Sequence, residues 1–149
     1  VGGGTILGVP GVAPALDACP PKSKNCVRTT WTPPSKGVAI SDLREVINAY
    51  PQEGQNKVDL GGWSIASDSL DSDGTARVEY LSDPNGTFAR FLNGGKSFVD
   101  DLLIEVGSDG VTEIKSSSRI GESDLGVNAK RVAYLGAALQ AKGWSIPSL

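Results

Sequence analysis

The chain has 149 residues, 39% of them hydrophobic and 21% charged, and a formal net charge of −3. That length suits one domain with a sizeable core, and that balance excludes wholesale disorder. The absence of His removes His-dependent triads and His-based zinc sites, no dense basic run favours a nucleic-acid partner, and no apolar run approaches the roughly 18 to 20 residues of a membrane span.

Met is absent as well, which is read as the trace of a removed leader. Residues 1–40 are rich in Gly and Pro (VGGGTILGVPGVAP, CPP, TWTPP). Pro removes amide donors and Gly resists ordering, so the stretch is expected to be an extended arm. It nevertheless carries Ile6, Leu7, Val9, Val12, Leu16 and Trp31, which need a surface to cover. That surface is either the arm's own domain or a partner, and the arm is assigned to a partner. Cys19 and Cys26 close the short segment CPPKSKNC, and spacing alone leaves open a disulfide or two free thiols.

The first helix is expected over Asp42 to about Tyr50, capped by Ser41 and stopped by Pro51, with Leu43, Val46, Ile47 and Tyr50 as one apolar stripe. Residues 51–61 read as a polar loop and Gly62 to Ala66 as a short strand. The acidic segment Asp68 to Gly74 lacks the closing Glu and the flanking helices of a calcium loop, and reads as a solvated turn. Residues 75–82 alternate as a half-buried strand, and Asp83-Pro84-Asn85-Gly86 turns it. Thr87 to Leu92 is expected to return as the second arm of that hairpin.

Ser97 to Val106 is the most apolar strand candidate, and Gly107 to Gly110 turn it into Val111 to Ser118. Thr112, Ile114 and Ser116 should share one face, and Val111, Glu113 and Lys115 the other. A long helix is expected from about Asp124 or Leu125 to Lys142, with Asn128, Val132, Leu135 and Leu139 as its stripe and Gly143 just past its end. Trp144 and Ile146 should fold back on the body.

Asp124, Asn128 and Arg131 fall at i, i+4, i+7 and share a helix face. Arg119 is expected to reach Asp124 in a forked pair. Asp100 and Asp101 are consecutive on a strand, so they point to opposite faces. A half-buried Asp needs a cation or several donors, and Arg119 and Arg131 are the candidates. Asp100, Asp101, Ser118, Arg119, Asp124, Asn128 and Arg131 thus form a structural polar network, an anion or small-ligand site at a helix start, or an acid–base site built on one Asp. No activated nucleophile and no phosphate-cradling loop is present in the sequence. No metal site is expected.

Phe98-Val99-Asp100-Asp101, followed by Ser116-Ser117-Ser118-Arg119-Ile120-Gly121-Glu122-Ser123-Asp124-Leu125-Gly126-Val127-Asn128-Ala129-Lys130-Arg131, resembles the domain-of-unknown-function family fourteen-ninety-nine. Asn25-Cys26-Val27 matches an upstream motif of that family, and Lys115 departs from it where Arg is usual. The resemblance carries no established activity. It implies a context, that of a plastid protein similar to a peripheral subunit of photosystem I in diatoms and related algae, bound to the core without spanning the thylakoid membrane.

The expectation is therefore an α+β fold: an antiparallel sheet of four to five strands with two helices packed on it, residues 1–40 as the arm and 41–149 as a single domain. The expected function is a non-catalytic accessory subunit, with no cofactor, bound to core subunits of a photosynthetic membrane complex in the chloroplast. The stromal face is favoured, where the two Cys would be reduced. The alternative is a soluble anion-binding or small-ligand protein using the Arg119–Arg131 region.

Overall fold

A computed structural model describes residues 16–86, 93–120 and 124–149. Among them, β1 (Cys26–Trp31), β2 (Gly62–Ser69), β3 (Thr75–Leu81), β4 (Val99–Val106) and β5 (Thr112–Ser118) form one antiparallel sheet in the order β1-β5-β4-β3-β2. Two helices, α1 (Ala39–Ala49) and α2 (Val127–Gln140), accompany it. This is the α+β architecture expected from the sequence.

Strand alternation divides the sheet into an inner and a polar face. Ala76, Val78 and Tyr80 on β3, Leu102, Ile104 and Val106 on β4, and Ile114 on β5 enter one core with Leu43, Val46 and Ile47 of α1 and Val132, Leu135 and Leu139 of α2. Thr112, Ile114 and Ser116 are all buried, so the facing expected for β5 holds. β2 runs three residues further than expected, with a register shift between Ile65 and Ser67.

The stretch 1–40 is not arm throughout. β1 pairs with β5 along its whole length, Cys26 opposite Ser117 and Trp31 opposite Thr112. Its alternation was hidden by the flanking prolines. Trp31, assigned to a partner-binding arm, is 2% exposed and lies in the core. Leu16 is half-buried, and its carbonyl accepts from Arg28 Nη2 at 3.1 Å. Ile6, Leu7, Val9 and Val12 lie outside the described residues. Cys19 and Cys26 are bonded, tying the segment before β1 to the sheet edge. Closing a loop this short contributes about 2 to 3 kcal/mol.

Helix α1 starts earlier than the cap at Ser41 suggested. Ser35 is extended after Pro33 and Pro34, Lys36–Val38 form a 3-10 turn, and the helix follows at Ala39. The Ser41 hydroxyl donates to the Val38 carbonyl instead of capping. Tyr50, extended before Pro51, ends the helix.

α2 starts at Val127, behind Gly126 at φ +82°. The tail then returns as expected. Ser145 and Thr32 exchange backbone hydrogen bonds at 2.8 and 3.1 Å, and Trp144 Nε1 donates to Asp42 at 2.9 Å. Gly136 permits this return, because a Cβ there would lie 2.9 Å from Ile146 Cγ2.

The hairpin expected between residues 75–82 and 87–92 is corrected. Both edges of β3 are taken, by β2 and by β4, and Thr87 to Leu92 lie outside the described residues. The turn at Asp83–Gly86 does form, with Gly86 N donating to the Asp83 carbonyl at 3.1 Å. The acidic segment at the end of β2 and in the turn after it is held by Arg44 of α1, which pairs with Asp68 at 2.9 Å and Asp71 at 2.8 Å.

On the polar face, Glu105 of β4 lies directly opposite Glu113 of β5. Glu113 is paired with Arg28 at 2.9 Å and accepts from the Thr30 hydroxyl at 2.7 Å. Glu105 is only 9% exposed, and its Oε2 is buried without a hydrogen-bond partner. Burial pushes its carboxyl up, Arg28 opposes the shift, and Glu113 and Asp17 add to it. A carboxyl raised on folding loses stability as pH climbs past the ordinary value near 4. Glu105→Gln is therefore expected to stabilise the fold at neutral pH by about 1 kcal/mol, read as a higher urea midpoint, with the gain shrinking toward pH 4. An unchanged midpoint across that range would contradict this reading of Glu105.

Candidate functional site

The charged residues of the long motif separate into two clusters, one on each face of the sheet. Strand parity is the cause. Asp100 faces inward beside Leu102, whereas Asp101 faces outward. Ser116 faces inward beside Ile114, and two residues later Ser118 points the same way, which leaves Arg119 for the other face.

The inner cluster is centred on Arg131, on the second turn of α2, whose side chain is wholly buried. Nε donates to Asp59 Oδ2 at 2.8 Å, and Nη2 donates to Asp59 Oδ1 and to Asp100 Oδ2, the latter at 2.7 Å. Nη1 donates to Ser116 Oγ at 2.9 Å and to Asn128 Oδ1 at 2.8 Å. All five guanidinium N–H groups are thus used. The Tyr80 ring lies under the group, 4.5 Å from Cζ to the ring centroid. Burial opposes the charge, but hydrogen bonds and fields from Asp59 and Asp100 outweigh it and hold Arg131 above its ordinary pKa.

Asp59 reaches this position from the loop between α1 and β2. Asn56, Lys57 and Asp59 all have positive φ there, a conformation unfavourable for non-Gly residues. The turn is held by the reciprocal backbone pair of Gln55 and Val58, at 3.0 and 2.8 Å, and by burial of Val58. Gly54 completes it at φ +80°, where a Cβ would lie 2.2 Å from the Val58 carbonyl oxygen. Tyr50 donates to Asp59 Oδ2 at 2.6 Å and accepts from Gln55 Nε2 at 3.0 Å. Burial first, and Asp59 second, push the Tyr50 phenol up. Burial also raises Tyr80.

Asn128 extends the cluster to the helix start. Its Oδ1 accepts from the Ser116 hydroxyl at 2.6 Å, and its Nδ2 donates to Asp124 at 2.7 Å, Ser118 at 3.0 Å and the Asn25 carbonyl at 3.3 Å. Asp124 also accepts from the backbone N–H groups of Gly126 at 2.8 Å and Asn128 at 2.9 Å. It therefore fills the hydrogen-bonding role of a helix cap, ahead of the residue at the cap position.

The outer cluster is a ladder across β3, β4 and the end of β5. Arg119 forks onto Asp101, with Nε to Oδ2 at 2.8 Å and Nη2 to Oδ1 at 2.9 Å, and also reaches Glu79 at 2.8 Å. Arg77 bridges the same acids, at 2.7 Å to Glu79 and 2.9 Å to Asp101. The Arg119 hydrogen bonds hold Asp101 below the usual carboxylate range, and those of Arg77, then Arg119, do the same for Glu79.

The fork expected between Arg119 and Asp124 is corrected, because Asp124 serves the helix start and Arg119 lies across the sheet from it. Arg119 and Arg131 do not share one anion site, for the same reason. Sequence reasoning missed Asp59, Tyr50, Tyr80, Arg77, Glu79 and the role of Ser116. Ser116 could have been found as a polar residue in the inward register of Ile114. Asp59 lies between Val58 and Leu60 in an aperiodic loop and gave no such signal. Among the described residues no group of His, Cys, Asp and Glu could hold a metal ion. A groove of about 240 Å³ between α2 and the C-terminal tail, lined by residues including Trp31, Val132, Ala137 and Ile146, touches neither cluster.

Residues 15–139 match the model of a family described as protein of unknown function (DUF1499). No curated protein and no solved structure matches the chain.

Depressed carboxyls stabilise the fold above their ordinary pKa near 4, and the contribution is lost as pH falls through the depressed value. Arg119→Gln is therefore expected to move the acid-unfolding midpoint, followed by circular dichroism, to higher pH. The variant and the parent should converge at pH values low enough to protonate Asp101 and Glu79 in both. Identical acid transitions would show that the ladder contributes nothing.

Proposed function

The chain belongs to the DUF1499 family, and from that premise we propose that it is a non-catalytic interaction module whose long motif builds the domain and leaves binding to its surface. The observation that carries this reading is the commitment of the motif's polar groups. Arg131 spends five donors inside the core, Arg119 is forked onto Asp101, and Asp124 and Asn128 hold the helix start. An anion at either arginine would have to displace a carboxylate already bound to it, which disfavours the small-ligand alternative.

The finer placement is a peripheral accessory subunit of a plastid photosynthetic complex, photosystem I before others. It rests on the resemblance of the motif pair. No described helix is long and apolar enough to cross a membrane, which suits a peripheral position. The bonded Cys19–Cys26 pair favours an oxidising compartment, and thus the lumenal face over the stromal one.

Native separation of solubilised thylakoids, with mass spectrometry for this chain, tests the proposal. Comigration with photosystem I, reversed only by chaotrope or high salt, is the expected result. Migration as a free small protein would remove the accessory-subunit reading.

A further inference from the structure

β2 forms one edge of the sheet, and its two halves are finished differently. At Trp63 the place of a further strand is taken by the Gln52 carboxamide: Trp63 N donates to Oε1 at 3.1 Å, and Nε2 donates to the Trp63 carbonyl at 2.9 Å. Beyond Trp63 the edge is open. Val106 N donates to the Gly74 carbonyl at 2.7 Å, so by alternation Ala76 and Val78 turn their backbone groups to β4. Their partners on β2, Asp68 and Ile65, therefore turn N–H and C=O outward. No described residue pairs with these groups. The bulge between Ile65 and Ser67 shifts them but leaves them unpaired. Edge strands are commonly blunted by Lys or Pro, and β2, GWSIASDS, has neither.

The side chains along this edge are equally unfinished. Ile65 lies opposite Val78, an inward-facing residue of β3, yet it is 41% exposed. Beside it a crevice of about 10 Å³, walled by Ile47, Leu70 and Val78 among others, opens between α1 and β2. It is too small to take in a ligand and marks a margin of the core that lacks its cover. A sixth strand would set its own core-side residue over Ile65 and close that margin. At the far end of the edge, three carboxylates, Asp68, Asp71 and Asp73, stand against one guanidinium, Arg44. Asp71 and Asp73 are exposed, so the end of the edge is acidic toward solvent.

We propose that the Ile65–Asp68 edge of β2 receives an extended segment of a partner protein as a sixth, antiparallel strand. The segment carries an apolar residue that covers Ile65 and, on its N-terminal side, a Lys or Arg that meets Asp71 and Asp73. Main-chain hydrogen bonds supply affinity, and the apolar residue and the charge supply selectivity. A second copy of this chain does not satisfy the charge, because β2 has no basic residue to offer the acids. The inference rests on the interaction-module reading and names the surface that module uses.

The probe is a phage-displayed library of short random peptides, selected on the full chain. Enriched peptides are expected to place alternating apolar residues behind a Lys or Arg. Titration with one of them, followed by amide NMR, should shift the signals of Ile65 to Asp68. Ile65→Lys should weaken binding about tenfold or more. Ile65→Thr, which keeps a β-branched side chain on the strand, should have a smaller effect of the same sign. Asp71→Asn with Asp73→Asn should weaken binding roughly fivefold at low salt and less at high salt. Leu149→Lys, the same kind of change at another exposed aliphatic residue, should leave binding unchanged.

No enriched peptide, shifts confined to another surface, or binding that the Ile65 and Asp71/Asp73 variants leave unchanged overturns the proposal. So does a dimer of the wild-type chain, seen by light scattering, that Ile65→Lys dissociates, because the edge then belongs to a second copy. Comigration with a thylakoid complex that Ile65→Lys leaves intact would overturn this edge as the site and keep the interaction-module reading. Peptide binding at the edge by a chain that comigrates with no complex supports the edge and removes only the accessory-subunit placement.

Discussion

A single guanidinium holds this fold together. Arg131 is buried between two carboxylates, Asp59 and Asp100, that come from a loop and a strand far apart in the chain. Removing one partner from such a pair leaves a charge without compensation and costs about 3 to 5 kcal/mol, a large part of the stability of an ordinary domain. The geometry that avoids this cost is demanding. α2 must lie against β1 and β5 at one rotation, and the α1–β2 loop must hold backbone conformations that disfavour three of its residues. Tyr50 takes up a further lone pair of Asp59, and Ser116 and Asn128 accept the remaining guanidinium donors. The cluster thus specifies how helix, sheet and loop meet, which apolar packing alone leaves less sharply defined.

The spacing of the motif follows from this arrangement. Asp100 and Asp101 are adjacent because one strand supplies an inward acid for Arg131 and an outward acid for Arg119. Ser116, Ser118 and Arg119 are spaced by strand parity, and Asp124, Asn128 and Arg131 by helical turns. A sequence pattern dense in arginines and acids invites a catalytic or anion-binding reading. Here its polar groups face one another.

Much of the fold was legible because the signals were periodic. The alternation of residues 75–81 and 112–118, the glycine-rich turn between β4 and β5, and the stripe Asn128, Val132, Leu135, Leu139 each report a local preference that packing reinforces. What failed to show was non-local or masked by neighbours. β1 was hidden by prolines on one side and a cysteine loop on the other, so Trp31 was read as arm although it is core. Asp59 depends on a turn with no period at all. The opposite destinations of Asp100 and Asp101 were legible from parity, but the partner of Arg119 was not, because Glu79 and Arg77 lie on a strand whose place beside β4 is a tertiary fact.

The central claim is that Asp59 and Arg131 act as one structural unit. A double-mutant cycle of Asp59→Asn and Arg131→Met, read by urea unfolding, tests it most directly. Each single change should destabilise strongly, and the double change should cost far less than their sum, with a coupling of about 2 kcal/mol or more. Effects that add to within about 0.5 kcal/mol would contradict the account, because the buried pair would then not be what holds loop, sheet and helix in register.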